Sequence, residues 1–314
     1  MDRRRFLEES VLAAAALGAP FISTAPAVGK RRGEAYRQNE QAIPSGDGAV
    51  IDTNVHLLCY PFRDFKYGAT EELVDKLRRH NIKQAWAGSY SSLFHKNIDY
   101  VNARLTRECR KKGDGMLLPF GTVNPMFPDW KEDLRRCHEE YKMPGIRLYP
   151  GYHGYSLEQE PFASLLRAAT ERNLLVQLVI AMEDERMQHP LVEVPNVDVS
   201  PLPGVLKGIP EIRLQLVHPF RHVRGERLQL MVDETGVLFE ISNLDGLGAL
   251  GRIIEGDHWY LRDVSIPPER LLFGSHFPYF PLENSLFKFM ESPLSKKQAR
   301  TIMSKNAERL LAVQ

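Results

Sequence analysis

Short apolar runs alternate with longer amphipathic stretches through most of this chain. Residues 49–56, 84–88, 116–123, 145–150, 174–181, 212–218, 237–242 and 271–275 are brief, rich in Val, Ile, Leu and Phe, and bounded by Gly, Pro or polar residues. That is the signature of buried strands. Between them, 70–80, 97–111, 129–141, 160–172, 224–233 and 246–255 space their apolar residues as helices do, and 295–312 closes the chain in the same way. Thr70 is expected as an N-cap with Glu71 and Glu72 in the first turn, and Gly113 lies just past the end of the second helix. Strand signals that alternate with helices predict an α/β fold, a (β/α)8 TIM barrel. The same alternation permits an open doubly wound sheet. No G-x-G-x-x-G or P-loop text supports a nucleotide site, so the barrel is expected.

Several runs begin apolar and end polar. In parallel α/β folds the chemistry sits at the C-terminal ends of the strands. The first, sixth and eighth runs end at His56, His218 and His276. Asn54 lies two residues before His56 and shares its strand face, and Arg147 and Tyr149 share a face of the fourth run. A lone strand-end histidine is more often a satisfied core residue, but three at one barrel mouth point to a shared site. His276, His218 and Arg147 are therefore the candidate catalytic residues. Asn54, Tyr149, His153 and Arg221 are the candidates for substrate binding. The planar fork of Arg147 suits a substrate carboxylate, and its alternative role is a structural salt bridge to Glu240. Residues 182–203 form a long loop, of the kind that usually carries function. Its opening Glu183-Asp184-Glu185 reads either as a solvated acidic turn or as carboxylates that reach the barrel mouth.

The N-terminus carries a different signal. Arg3-Arg4, the apolar run from Val11 to about Ile22 and Ala25-Pro26-Ala27 have the form of a twin-arginine export peptide with its cleavage site. Residues 1–27 are then a targeting segment and 28–48 a polar linker, with the barrel domain over 49–314. The expected location is periplasmic or extracytoplasmic, with no membrane insertion after processing. Charge is balanced, 41 basic against 40 acidic residues, which points away from nucleic acid and toward a small-molecule substrate; a homo-oligomer is compatible. The cysteines, 3 in number, lack C-x-x-C spacing and are expected as buried or half-buried thiols on elements, not as a disulfide framework.

The stretch Leu271-Leu-Phe-Gly-Ser-His-Phe-Pro278, with Asn306-Ala-Glu-Arg-Leu310 near the end, resembles the amidohydrolase superfamily. The likeness is to the branch that includes amino-carboxymuconate-semialdehyde decarboxylase and lactonase-like enzymes. It covers most of 49–313 and is strong at both ends and weak between roughly 85 and 140. The family's usual text is L-L-F-G-S-D-F-P, whose Asp is metal ligand and base; here that position is His276. The family's first strand ends H-x-H; here it reads Asn54-Val55-His56. A family histidine ending strand five has no counterpart between Val176 and Met182. The resemblance thus implies a depleted metal site. At most one divalent metal, zinc or manganese, is expected, on His56, His218 and His276, and either weakly held or absent. The leading expectation is a hydrolase of a small carboxylated or cyclic ester or amide, with water activated by histidine with or without metal. Metal-assisted decarboxylation and a catalytically silent binding barrel are the alternatives.

Overall fold

The computed structural model describes residues 49–312. The targeting segment and linker read from the sequence lie outside the described residues. The strands are β1 (Val50–Leu57), β2 (Ile82–Ser89), β3 (Leu117–Gly121), β4 (Gly145–Leu148), β5 (Leu175–Val179), β6 (Leu214–Val217), β7 (Leu238–Glu240) and β8 (Leu271–Leu272). All pair in parallel in chain order, each with the next. The sheet is brought round by bonds from β1 to the residues after β8: Thr53 N–H to the Phe273 carbonyl (2.9 Å), His276 N–H to that of Asn54 (2.8 Å) and His56 N–H to that of Phe277 (2.9 Å). This is the expected (β/α)8 barrel, and the open doubly wound sheet is excluded.

The helices of six or more residues are α1 (Thr70–Arg79), α2 (Ile98–Lys112), α3 (Trp130–Glu139), α4 (Glu160–Glu171), α5 (Leu202–Lys207), α6 (Glu226–Glu234), α7 (Ala249–Glu255) and α8 (Leu282–Glu291), followed by a segment over Lys296–Leu311 that is π-helical at Thr301–Lys305. Each turns an apolar face inward; α1, for example, buries Leu73, Val74 and Leu77 and exposes its charges. Two helices were not legible. The first, α5, lies at the end of the stretch read as loop. The second, α8, has no side-chain N-cap and is held by burial of Leu282, Ser285 and Phe289. The strand β8 is shorter than its apolar run. Past Leu272 the Phe273 N–H turns to the Ile302 carbonyl (3.0 Å) and the Ser275 N–H to Asp52 Oδ1 (3.0 Å).

The interior is layered. At the bottom Ile51, Trp86, Phe120, Leu175, Leu238 and Leu272 form an apolar plug with Ala307 and Leu310. Above it lies a polar belt. Arg147, Gln177 and Gln215 stand side by side in register on β4, β5 and β6. Gln177 Nε2 donates to Gln215 Oε1 (2.8 Å) and to the Thr53 carbonyl (2.7 Å), and Gln215 Nε2 donates to Thr53 Oγ1 (2.8 Å). The belt satisfies its own polar groups, as a buried network must. It is the floor on which the histidines rest.

Candidate active site

Asn54, His56, Arg147, Tyr149, His218 and His276 are brought together, all buried, at the C-terminal ends of their strands. The His276 ring lies 4.0 Å from that of His218 and 5.2 Å from that of His56, centroid to centroid, both edge-on. His56 stacks on Tyr90 at 4.9 Å, and His276 on Tyr279 at 4.8 Å. His218 and His276 take positive φ, 54° and 57°. Non-glycine residues in that region store roughly 1–3 kcal/mol each and cluster at functional sites. Here the conformation turns each ring from the strand end into the barrel mouth.

Hydrogen bonds fix the tautomers. His218 Nδ1–H donates to the Ala181 carbonyl, so its Nε2 is an acceptor, and it takes the Asn54 Nδ2–H at 2.7 Å. Both nitrogens of His218 are committed. His276 Nε2–H donates to the Met182 carbonyl at 2.8 Å, which leaves Nδ1 as a lone pair, buried and without a partner. His56 Nε2 accepts from Arg147 Nη1 at 3.0 Å. Burial holds all three imidazoles below their ordinary pKa, His218 down to about 3, so they are neutral at physiological pH.

Arg147 is wholly buried and its donors are spent. Nε–H goes to Gln177 Oε1 (2.7 Å), Nη1 to the Val55 carbonyl (3.1 Å) and to His56, and Nη2 to the carbonyls of Trp86 (3.0 Å) and Thr53 (3.5 Å). A guanidinium has five N–H groups, and none is left for a substrate carboxylate. No ion pair joins it to Glu240 among the described residues. Gly88 makes room for it: a Cβ there would stand 2.7 Å from Nη1.

Glu240, on β7, belongs to the site, although the sequence offered it only as an ion-pair partner for Arg147. Its Oε2 accepts from Asn54 Nδ2 (3.2 Å), Ser242 Oγ (2.9 Å) and the His218 N–H (3.3 Å). Asn54 thereby bridges Glu240 and His218 and does not face a substrate. Burial raises the Glu240 pKa. Asp52, bound by the N–H groups of Asn54 and Ser275 (both 3.0 Å), is pushed up to about 7 by the same cause. The glycine of the Leu271–Pro278 stretch serves Glu240, because a Cβ on Gly274 would lie 2.6 Å from its carboxyl carbon. Gly274→Ala is expected to dislodge that carboxylate and cost roughly 1–3 kcal/mol of stability by overpacking. A lowered melting temperature checks this.

Tyr149 Oη is 3.5 Å from His56 Nε2, beneath the mouth. His153 Nε2 binds the Ser92 carbonyl (2.9 Å), away from the cleft. Glu183 is buried and no solvated turn: it accepts hydroxyls from Tyr60 (2.6 Å), Tyr152 (3.4 Å) and Tyr279 (2.9 Å). Asp184 pairs with Arg186 (2.6 Å) and with Arg221. A narrow cleft of about 20 Å³ is lined by His218, His276, Arg221, Asn243 and Phe280 together with residues 181–184. That is room for about one water molecule.

Residues 66–217 match the family profile described as Amidohydrolase. That match takes in just under half of the chain, and the barrel is compatible with it. Comparison with curated proteins gave no match. Among solved structures, the chain is similar to 2,6-dihydroxybenzoate decarboxylase from Rhizobium (14% identity, TM-score 0.62, covering 85% of this chain and 99% of that one). It is similar also to 5-carboxyvanillate decarboxylase from Novosphingobium aromaticivorans, solved with manganese (15%, 0.60, 85% and 97%). A third is an uncharacterised TIM-barrel protein from Bordetella bronchiseptica (15%, 0.63, 84% and 98%). At these identities the likeness shows the fold.

Amidohydrolase barrels raise the question of a metal, and the donors here do not fit one. A catalytic zinc site needs at least three lone pairs aimed at one point. His218 has given both nitrogens away, and His56 Nε2 faces a fixed guanidinium 3.0 Å off. A cation there would meet the charge of Arg147 head-on. Of the three imidazoles, His276 alone keeps a nitrogen, Nδ1, with no partner among the described residues. Among the described residues no other group of three or more His, Cys, Asp or Glu is placed to hold an ion.

Proposed function

We propose that this protein is a hydrolase of the amidohydrolase fold that acts without metal on a small cyclic or activated ester or amide, with His276 as general base. One observation carries the reading. The Nδ1 lone pair of His276, set by the Nε2–H bond to the Met182 carbonyl, has no partner among the described residues, and His276 lines a cleft the size of a water molecule. A neutral imidazole beside a bound water is the arrangement of general base catalysis. Water attacks the substrate carbonyl carbon as Nδ1 takes its proton. The imidazolium then returns that proton to the leaving oxygen or nitrogen as the acyl bond breaks. Arg221 and Asn243, the donors lining the same cleft, stabilise the charge on the carbonyl oxygen. His218, Asn54, Glu240, His56 and Arg147 are positioning residues that hold the His276 surroundings dry and fixed. A panel of lactones, aryl esters and cyclic amides tests the reading, and hydrolysis of none of them would contradict it.

A second reading is decarboxylation, favoured by the names of the similar structures. It requires a proton donor in the resting site for the ring carbon that loses CO2, whereas the buried His276 starts out neutral, as a proton acceptor. Release of CO2 from hydroxylated benzoates, with no ester cleavage, would establish it in place of hydrolysis.

The location is proposed from Arg3-Arg4 and Ala25-Pro-Ala27. Changing both arginines to lysine is expected to retain the protein in the cytoplasm, as cell fractionation would show. Normal export of that variant would remove the twin-arginine reading.

A further inference from the structure

Two backbone carbonyls, those of Ala181 and Met182, set the tautomers of His218 and His276. Both lie just past the end of β5. The last ladder bond of that strand runs from the Ile180 N–H to the Val217 carbonyl (2.9 Å). Among the described residues the N–H groups of 181–183 make no backbone bond. The aim of the two carbonyls therefore has to come from side chains. The Met182 side chain packs in an apolar cluster with Tyr60, Tyr90, Tyr149, Val179 and Val217. Apolar packing is non-directional, so it sets the depth of the segment and not the direction of a carbonyl.

Glu183 supplies the direction. It is only 6% exposed, and a carboxylate at that depth has to be hydrogen-bonded. Its Oε1 accepts the Tyr60 hydroxyl at 2.6 Å and the Tyr152 hydroxyl at 3.4 Å, and its Oε2 accepts that of Tyr279 at 2.9 Å. Tyr60 follows β1, Tyr152 follows β4 and Tyr279 follows β8. One side chain thus joins the segment after β5 to three other strand ends, with both of its oxygens held. A second route runs to the same imidazole. Tyr279 stacks on His276 at 4.8 Å, and Arg63 backs it, with Nη1 donating to the Tyr279 oxygen at 3.1 Å and the guanidinium 5.1 Å from the ring centre. Glu183 therefore acts on His276 at its edge, through the Met182 carbonyl, and at its face, through Tyr279. The next tie along the segment, Asp184 to Arg221, joins two partly exposed side chains, and such pairs hold position weakly.

From this arrangement we infer that Glu183 is a positioning residue: anchored by Tyr60, Tyr152 and Tyr279, it aims the Met182 carbonyl so that His276 keeps its proton on Nε2 and its lone pair on Nδ1. Once that carbonyl swings away, Nε2–H loses its acceptor and the proton is shared with Nδ1. The base is then present in only part of the molecules. His218 follows to a smaller extent, because Asn54 still donates to its Nε2. The tautomer is a property of the resting protein, and only its catalytic consequence rests on the hydrolase reading above.

The experiment is nitrogen-15 magnetic resonance of the whole protein with labelled histidine, which reports at neutral pH which ring nitrogen of His276 carries the proton. The wild-type protein is expected to show Nε2–H alone. Glu183→Gln, whose amide oxygen cannot accept all three hydroxyls, should show both tautomers, and Tyr60→Phe a smaller share of Nδ1–H. Leu73→Ala, on the buried face of α1, lowers stability without touching the anchor and should leave the tautomer as it is. With a substrate in hand, kcat should fall in proportion to the remaining Nε2–H share, with KM little changed. Should Glu183→Gln not fold, Tyr60→Phe decides. Nε2–H alone in the folded anchor variants would overturn the proposal, and so would an equal mixture in Leu73→Ala. Mixed tautomers in Glu183→Gln beside a wild-type protein that hydrolyses no ester or amide would defeat the hydrolase reading and leave the positioning role standing.

Discussion

His276→Ala is expected to lower turnover of the substrate found by screening by about 10²–10⁴-fold, the usual contribution of a positioned general base. The side chain's one open nitrogen is the Nδ1 lone pair, and nothing else in the cleft can replace it. His218 has both nitrogens engaged, Glu183 is occupied by tyrosine hydroxyls and Asp184 is paired with Arg186 and Arg221. Position 276 has φ of 57°, which alanine tolerates poorly. His276→Asn is therefore the partner variant, since asparagine is at ease in that region and carries no base. Both variants should lose turnover, and the asparagine one should keep the wild-type melting temperature. The pH profile supplies the sign. Protonation destroys the base, so the rate falls as pH falls through the His276 pKa. Burial places that pKa well below the ordinary 6.5. The rate should hold level as pH drops through the range where a free imidazole titrates, and fall only in stronger acid. A rate that halves near pH 6.5 would mean a solvent-exposed base elsewhere.

The largest expected effect on stability is at Arg147. Arg147→Met should cost about 3 kcal/mol or more, because it strands the Val55 and Trp86 carbonyls and Gln177 Oε1 in the barrel, and each buried orphan costs roughly 1–3 kcal/mol. Relief from burying a charge offsets part of this. Arg147→Lys keeps the charge but cannot span the same acceptors, so it too should be destabilised, by less. Urea unfolding midpoints measure both. Wild-type midpoints together with a raised KM for carboxylated substrates would return Arg147 to the clamp role that the sequence offered.

That reversal shows where sequence reading stops. Alternation placed Arg147 on an inward face, and inward it is. The carbonyls that exhaust it come from β1 and β2, and only the closed barrel brings them near. The histidine triad was legible because each member ends a strand run, and strands of a parallel barrel end at one mouth. Their roles were not, because a tautomer depends on which carbonyl lies opposite: Ala181 for His218, Met182 for His276. Glu240 looked like any strand carboxylate until β1, β6 and β7 placed it against Asn54 and His218.

The central claim is base catalysis by His276 without metal, and the most direct test is turnover by the whole protein before and after exhaustive dialysis against a chelator, with zinc and manganese added back separately. The expected result is one rate in all four states, since the imidazoles of His56 and His218 face Arg147 and Asn54 and not a common ion. Loss of turnover on chelation, restored by either metal, would contradict it and show that the three histidines rearrange to bind an ion.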